Sequence, residues 1–142
     1  GRVSLDAAPA LGGGTMKQVI RTKAAPAAIG PYSQGIYAGD FLFISGQLGI
    51  DPATKALVEG GIEAEARRAL RNIAAVCEAA GTSMAAVVKT TVLLRSMDDF
   101  AKLNEVYATF FGESPPARAT YQVGGLPLGA AVEIEAIAHI RR

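Results

Sequence analysis

Residues 132–140 read VEIEAIAHI, and every second residue of this run is apolar. Successive side chains of a β-strand point to opposite faces of the sheet, so alternate residues share a face. One face is apolar throughout and consists of Val132, Ile134, Ala136, Ala138 and Ile140. The other carries Glu133, Glu135, Ile137 and His139. This pattern predicts a strand with one face in the core and two carboxylates on the opposite face.

Two amphipathic helices are predicted before this strand. Apolar residues recur at spacings of three and four over residues 62–80, and Gly81 suits the left-handed residue that ends a helix. The second helix is predicted to begin at Ser96, whose side chain can cap the first turn, and to end at Gly112. Its buried stripe is Phe100, Leu103, Tyr107 and Phe110. The polar face of the first helix is filled largely by Glu63, Glu65, Arg67, Arg68 and Arg71.

Strand patterns surround the helices. They cover residues 17–22, 35–38, 41–50, 87–95 and 118–123, followed by the last strand. Gly39 and Asp40 have the composition of a hairpin turn. Strands, helix, strand, helix and two final strands indicate the α+β class, a mixed β-sheet with two helices packed on one face.

The second face of that sheet needs a cover, because two helices can bury only one. Residues 41–44 (FLFI) and 92–94 (VLL) are nevertheless apolar on both sides of their strands. A partner subunit is the simplest cover, so we predict an oligomer with an extensive interface.

Length and composition limit the functional classes. The chain has 142 residues, which suits one domain, and we expect residues 16–142 to form it. Residues 1–15 are rich in Ala and Gly and are predicted to be a flexible leader or an expression scar. The formal net charge of +1 argues against a nucleic-acid partner, and no apolar run is long enough to predict a membrane span. With one cysteine, Cys77, and one histidine, His139, neither a disulfide framework nor a zinc site is expected.

The last two strands hold a candidate anion site. Arg118, Thr120 and Gln122 share one side of their strand. A tight connection would make this strand the antiparallel neighbour of the last one, with Arg118 near Glu133. An arginine beside a carboxylate at a subunit boundary can bind a small acid, but a plain interfacial ion pair fits the same spacing.

Several further segments, taken in order, carry a resemblance to a known family. They are AAIGPYSQG (27–35), SGQ (45–47), VKTTV (88–92), DFAKLNEVY (99–107), PAR (116–118) and VEIEAIA (132–138). From about Met16 onward the chain resembles the RidA (reactive intermediate deaminase) family. The resemblance implies a homotrimer of chorismate-mutase-like subunits, with clefts at the subunit interfaces and neither cofactor nor metal.

The activity that the resemblance implies is hydrolysis of 2-iminobutanoate and 2-iminopropanoate to 2-keto acids and ammonia. Arg118 would hold the substrate carboxylate by a bidentate salt bridge. Glu133 would lie near the water that attacks the imine carbon, and burial would raise its pKa while the nearby arginine would lower it.

Further substrate-binding residues follow from the same motifs. Tyr32 would be an aromatic gate over the cleft, and Ser45 and Gly46 would line the ligand with their backbone. Asn104 is the polar helix residue near the site, and Pro127 shapes the pocket wall.

The chain departs from many relatives two residues after the arginine. Where they carry a cysteine it has Thr120, which would act through its backbone amide. Cys77 does not replace that thiol, because its helical spacing places it in the core.

Other functions remain open on the sequence alone. A trimer of this kind could bind a small ligand without turnover, act as a chaperone, or be an endoribonuclease that inhibits translation. A cytoplasmic location is expected, with an organelle as the alternative.

Overall fold

The computed structural model describes residues 17–140 as a six-stranded sheet with two helices on one face. The predicted leader, residues 1–15, lies outside the described residues. The strands are β1 (Gln18–Ile20), β2 (Gly35–Ala38), β3 (Phe41–Leu48), β4 (Ile50–Asp51), β5 (Ala56–Leu57), β6 (Val87–Leu94), β7 (Ala117–Gln122) and β8 (Val132–His139). The helices are α1 (Gly61–Ala79) and α2 (Phe100–Ala108).

The sheet has the order β1-β2-β3-β8-β6-β7, and β4 pairs with β5 in a separate ribbon. β8 is antiparallel to both of its neighbours, whereas β6 and β7 are parallel. The predicted α+β class, with two helices on a mixed sheet, is confirmed. So is the hairpin of β2 and β3 around Gly39 and Asp40, where Gly39 has a φ of +61°.

The predicted pairing of β7 with β8 is wrong. β7 pairs with β6, and β8 lies on the other side of β6. The connection between β7 and β8 crosses the end of β6, where the N–H of Val123 donates to the Leu94 carbonyl and the N–H of Arg95 donates to the Ala131 carbonyl. The Arg95 side chain also donates to the Gly129 carbonyl at 2.6 Å. A connection held in this way separates the last two strands instead of joining them.

Two polar side chains of α1 are buried against the loops. Glu65, which the helical pattern places on the polar face, is buried, and its Oε1 accepts a hydrogen bond from the N–H of Ala131 at 2.8 Å. Asn72 is fully buried and donates to the carbonyls of Leu48 and Ile50. These hydrogen bonds satisfy backbone groups at strand ends and in the connection before β8 that would otherwise be buried without partners.

The helix ends are largely as predicted. Gly81 has a φ of +87° after α1, and Ser96 accepts a hydrogen bond from the N–H of Asp98 at 3.1 Å. A short 3₁₀ turn, Met97–Asp99, lies between this cap and α2. α2 ends at Ala108, earlier than the predicted Gly112, and the Thr109 hydroxyl donates to the Val106 carbonyl at 2.6 Å. β3 likewise ends before the predicted residue 50.

The face of the sheet opposite the helices, here called the open face, carries exposed aromatic side chains and is not covered by any of residues 17–140. Leu42 and Ile44 are buried beneath the helices, whereas Phe41 is 42% exposed and Phe43 46% exposed. Tyr121 on the same face is 57% exposed. The predicted two-sided apolar character of β3 is therefore confirmed.

Gly49 permits the close approach of α1 to the segment after β3. A Cβ atom there would lie 2.6 Å from the Glu65 Cα and 2.7 Å from the Glu65 carbonyl oxygen. We predict that Gly49→Ala lowers the free energy of unfolding by about 2 kcal/mol, because backbone must move. Gly125→Ala is the control, since a Cβ there meets nothing within 4 Å. Urea unfolding at matched protein concentration measures both, and equal stability of the two variants would contradict the prediction.

Candidate active site

The Arg118 side chain packs against one side of α2. It lies near the start of β7 on the helix-covered face, and its Nη1 donates to the Asn104 Oδ1 at 2.8 Å. Its Cζ lies 4.7 Å from the centre of the Tyr107 ring and 5.5 Å from that of Phe100. Cations favour this position over aromatic rings. One helix therefore supplies both the polar partner and the aromatic surfaces of the guanidinium.

Tyr107 is itself held by β6. Its hydroxyl and the Thr90 Oγ1 are hydrogen-bonded at 2.7 Å, and Thr90 lies opposite Arg118 in the pairing of β6 with β7. Burial raises the pKa of Tyr107, although the hydrogen bond to Thr90 and the charge of Arg118 oppose this. The ring beneath Arg118 is thus a neutral phenol at physiological pH.

Thr120 lies two residues after Arg118 on the same face. Its Oγ1 is buried and has no hydrogen-bond partner among residues 17–140. The N–H of Val123 points to β6, so alternation of the backbone directs the N–H groups of Arg118 and Thr120 away from β6, to the free edge of the sheet. This edge offers unused donors beside the guanidinium.

Glu133 lies on the open face, next to a β-bulge in β3. The register of β3 with β8 shifts between Ile44 and Gln47, so Ser45 and Gly46 together occupy the place of one residue. A Cβ atom on Gly46 would lie 2.8 Å from the Glu133 Cδ and would overlap its Oε2. Burial raises the pKa of Glu133, and the negative charge of Glu135 raises it further.

The segment that carries Tyr32 is tied to this bulge. The Ser45 hydroxyl donates to the Ser33 carbonyl at 2.5 Å, and the Ser45 N–H donates to the Gln34 carbonyl at 3.0 Å. Tyr32 is half exposed, and its hydroxyl accepts from the N–H of Ile29 at 3.4 Å. The buried Gln34 side chain bonds to backbone groups of Thr22, Ala25 and Pro26, and so fixes the start of this loop.

The predicted site residues therefore form two groups. Arg118, Asn104 and Thr120 lie on the helix side of the sheet. The second group comprises Tyr32, Ser45, Gly46 and Glu133. Pro127 begins the exposed turn Pro127–Gly129 and belongs to neither group.

The predicted placement of Arg118 beside Glu133 is wrong within one chain. Arg118 lies opposite Thr90, and Glu133 lies opposite Leu93. Their Cα atoms are thus roughly 10 Å apart along the strands and roughly 10 Å apart across them, by the usual strand rise and spacing. The side chains also point to opposite faces, since Thr90 is buried under α2 and Glu133 alternates with the buried Val132 and Ile134. A single chain does not bring the two groups together.

A cleft of about 880 Å³ lies elsewhere among residues 17–140. Tyr32, Ser33 and Gln34 line it together with β1, the loop after β1 and the last turns of α1. Neither Arg118 nor Glu133 contributes to it. Arg118 and Glu133 therefore do not share this cleft.

Sequence reasoning missed how Arg118 is seated. Phe100, Asn104 and Tyr107 are spaced four and three residues apart, which places them on one helix face. That spacing could have predicted a common partner for the three side chains. No signal in the sequence identified Thr90 as the residue that fixes Tyr107.

Cys77 is buried in the core as predicted, and burial raises its pKa to about 12. Its thiol is therefore a poor nucleophile at neutral pH. Among residues 17–140, no three His, Cys, Asp or Glu side chains lie close enough to hold a metal ion. None of the helices in this range is long and apolar enough to cross a membrane.

The fold and the site define a class of small α+β proteins in which two helices cover one face of a mixed sheet, and a seated arginine and a carboxyl of raised pKa occupy opposite faces. A family model described as endoribonuclease L-PSP matches residues 22–140. The chain belongs to this family, which is also called the RidA or YjgF family.

Similar proteins agree with this assignment. The 2-iminobutanoate/2-iminopropanoate deaminase of Mus musculus is 54% identical over 123 residues, which cover 87% of this chain and 91% of the mouse protein. The crystal structure of RidA from the Antarctic bacterium Psychrobacter sp. PAMC 21119 is 51% identical, with a TM-score of 0.84, and the match covers 87% of this chain and 99% of that one. Escherichia coli TdcF with bound serine is 41% identical, with a TM-score of 0.83, over 87% and 98% of the two chains.

The charge of Glu135 generates a testable prediction about Glu133. We expect Glu135→Gln to lower the pKa of Glu133, because a neutral neighbour no longer opposes its ionisation, while burial keeps it above the ordinary value. A ¹³C NMR titration of the Glu133 carboxyl in both proteins measures the shift. Glu63→Gln, at an exposed position in the first turn of α1, is the control. A pKa that Glu135→Gln leaves unchanged would contradict the assigned cause.

Proposed function

We propose that this protein hydrolyses 2-imino acids, namely 2-iminobutanoate and 2-iminopropanoate, to the corresponding 2-keto acids and ammonia. The observation that carries the proposal is the position of the Arg118 guanidinium. It lies near a free sheet edge, where Asn104 and the Tyr107 ring contact it. The similarity to deaminases of about 50% identity supports the choice of substrate.

Arg118 serves to bind the substrate carboxylate. A guanidinium offers parallel N–H donors that match a planar carboxylate, and a lysine would lose this geometry. The N–H groups of Arg118 and Thr120 at the free edge supply further donors beside it. A small ligand with a carboxylate, such as the serine in the TdcF structure, is the kind of molecule that this arrangement fits.

Glu133 serves as the general base. Its raised pKa makes it a stronger base than an ordinary carboxylate. The oxygen of a water molecule adds to the imine carbon as Glu133 accepts a proton. Return of that proton to the nitrogen gives a neutral carbinolamine. Transfer of its hydroxyl proton to the nitrogen, again through Glu133, lets ammonia leave as the C=O bond forms.

The complete site belongs to a homotrimer. Within one chain Arg118 and Glu133 face opposite ways, and the apolar open face has no cover. Both features are accounted for if the free edge of β7 in one subunit meets the bulge of β3 in the next. Asn104 and Thr120 would then come from one subunit, and Tyr32, Ser45 and Gly46 from the other, with Pro127 at the wall of the cleft.

The location that accompanies this activity is the cytoplasm or an organelle in which pyridoxal-phosphate enzymes release such imines. Binding without turnover, or a chaperone role, would use the same cleft or the same apolar surface. The near-neutral charge of the chain gives an endoribonuclease little support, although the family description carries that name.

Arg118→Ala tests the activity. We expect the catalytic efficiency of imine hydrolysis, kcat/KM, to fall by about a hundredfold or more, because a bidentate charged contact is lost. The assay couples a threonine dehydratase to the protein and follows the trapping of remaining imine by semicarbazide. Arg71→Ala, on the exposed side of α1, is the control and should keep full activity. Full activity of Arg118→Ala would refute the assignment, and an inactive wild-type protein that still binds 2-oxobutanoate would favour the non-catalytic alternative.

Mixing two inactive variants tests whether the site is shared. If Arg118→Ala and Glu133→Gln chains assemble together, a mixed trimer has one interface with both residues intact. Random equimolar assembly around a three-fold ring should then restore about a quarter of the wild-type activity. The chains are unfolded together and refolded, and each variant refolded alone is the control. No recovery in a mixture that sedimentation shows to be trimeric would contradict a site shared between subunits.

A further inference from the structure

The contacts that hold Arg118 in position connect β7, β6 and α2. Arg118 lies opposite Thr90 across the strands, Thr90 is hydrogen-bonded to Tyr107 at 2.7 Å, and the Tyr107 ring lies 4.7 Å from the guanidinium carbon. Thr90 is 1% exposed and Tyr107 is 6% exposed. Such buried side chains act on a ligand through Arg118 and do not touch it themselves.

Among residues 17–140, these contacts leave one edge of the guanidinium without a hydrogen-bond partner. The Tyr107 and Phe100 rings lie against the group, and Asn104 Oδ1 accepts from Nη1. A guanidinium has two edges that can each bind a carboxylate through paired N–H groups. The edge formed by Nε and Nη2 is the one to which Asn104 is not bonded.

We propose that Tyr107 is a positioning residue that, tied to Thr90, holds Arg118 so that its Nε–Nη2 edge meets the substrate carboxylate. This inference rests on the proposed function, because it takes the carboxylate as the ligand of Arg118. Without the tether the tyrosine ring can tilt, and without the ring the guanidinium can turn about its side-chain bonds. Either change spreads the N–H donors over orientations in which only some can reach a carboxylate.

The effect should appear in binding and not in the chemical step. Arg118 holds a group that does not change during the reaction, so loss of its orientation weakens substrate and transition state alike. We therefore expect KM to rise, while kcat stays close to the wild-type value. A contact between a desolvated cation and an aromatic ring corresponds to about a tenfold change in a binding constant.

The test compares Tyr107→Leu with Phe111→Leu. Phe111 is buried and its ring lies 4.7 Å from that of Tyr107, so the control removes a neighbouring ring from the same core. For Tyr107→Leu we expect Kd for 2-oxobutanoate, measured by calorimetry, and KM for the imine each to rise about tenfold. For Phe111→Leu both constants should change less than about twofold even if stability falls. Unchanged constants in folded Tyr107→Leu, or equal rises in the two variants, would overturn the proposal.

A double variant removes the tether alone. Tyr107→Phe combined with Thr90→Val keeps the ring and replaces both hydrogen-bonding partners by apolar groups, which protects folding. Kd should rise about threefold, less than for loss of the ring. If Tyr107→Leu does not fold, an unchanged Kd in this double variant overturns the proposal instead. A wild-type protein that binds 2-oxobutanoate without hydrolysing imines would sink only the proposed function, because the Kd values of these variants would still decide the role of Tyr107.

Discussion

The two-residue period of β8 is the constraint on which the rest of the structure depends. β8 is hydrogen-bonded on both sides and covered by helices on one face, so a slip of one residue would turn its whole apolar face outward. Glu133 is therefore fixed on the open face. Because β6 separates β8 from β7, Arg118 on β7 cannot lie beside Glu133 in the same chain. An arginine and a carboxylate that a short chain carries near each other in sequence are thus kept apart in space.

The two sides of the sheet prepare their polar groups in different ways. On the helix side, α2 surrounds a permanent cation with aromatic rings and an amide oxygen, so the charge keeps its orientation. On the open face, partial burial and a like charge make Glu133 reluctant to ionise. One face of the sheet thus holds an oriented cation, and the other holds a carboxyl of raised pKa.

Patterns local to one element could be predicted from the sequence, whereas relations between elements often could not. The alternation of residues 132–140, the hairpin at Gly39 and the cap at Ser96 each depend on a few neighbouring residues, and all three are confirmed. Which strand lies beside β7 depends on how the connection wraps around Arg95, and composition does not encode that path. The burial of Glu65 could not be predicted for a similar reason, since its partner is a backbone N–H far along the chain. Arg118 and Glu133 stay predicted site residues, and their separation within one chain could be seen only from the sheet order.

The missing side chain of Gly46 also determines where the Glu133 carboxylate can lie. The Glu133 carboxylate occupies the volume that a side chain there would fill, beside an unpaired bulge residue. A side chain at position 46 would therefore force Glu133 into another rotamer. The carboxylate keeps its present position only while residue 46 is a glycine.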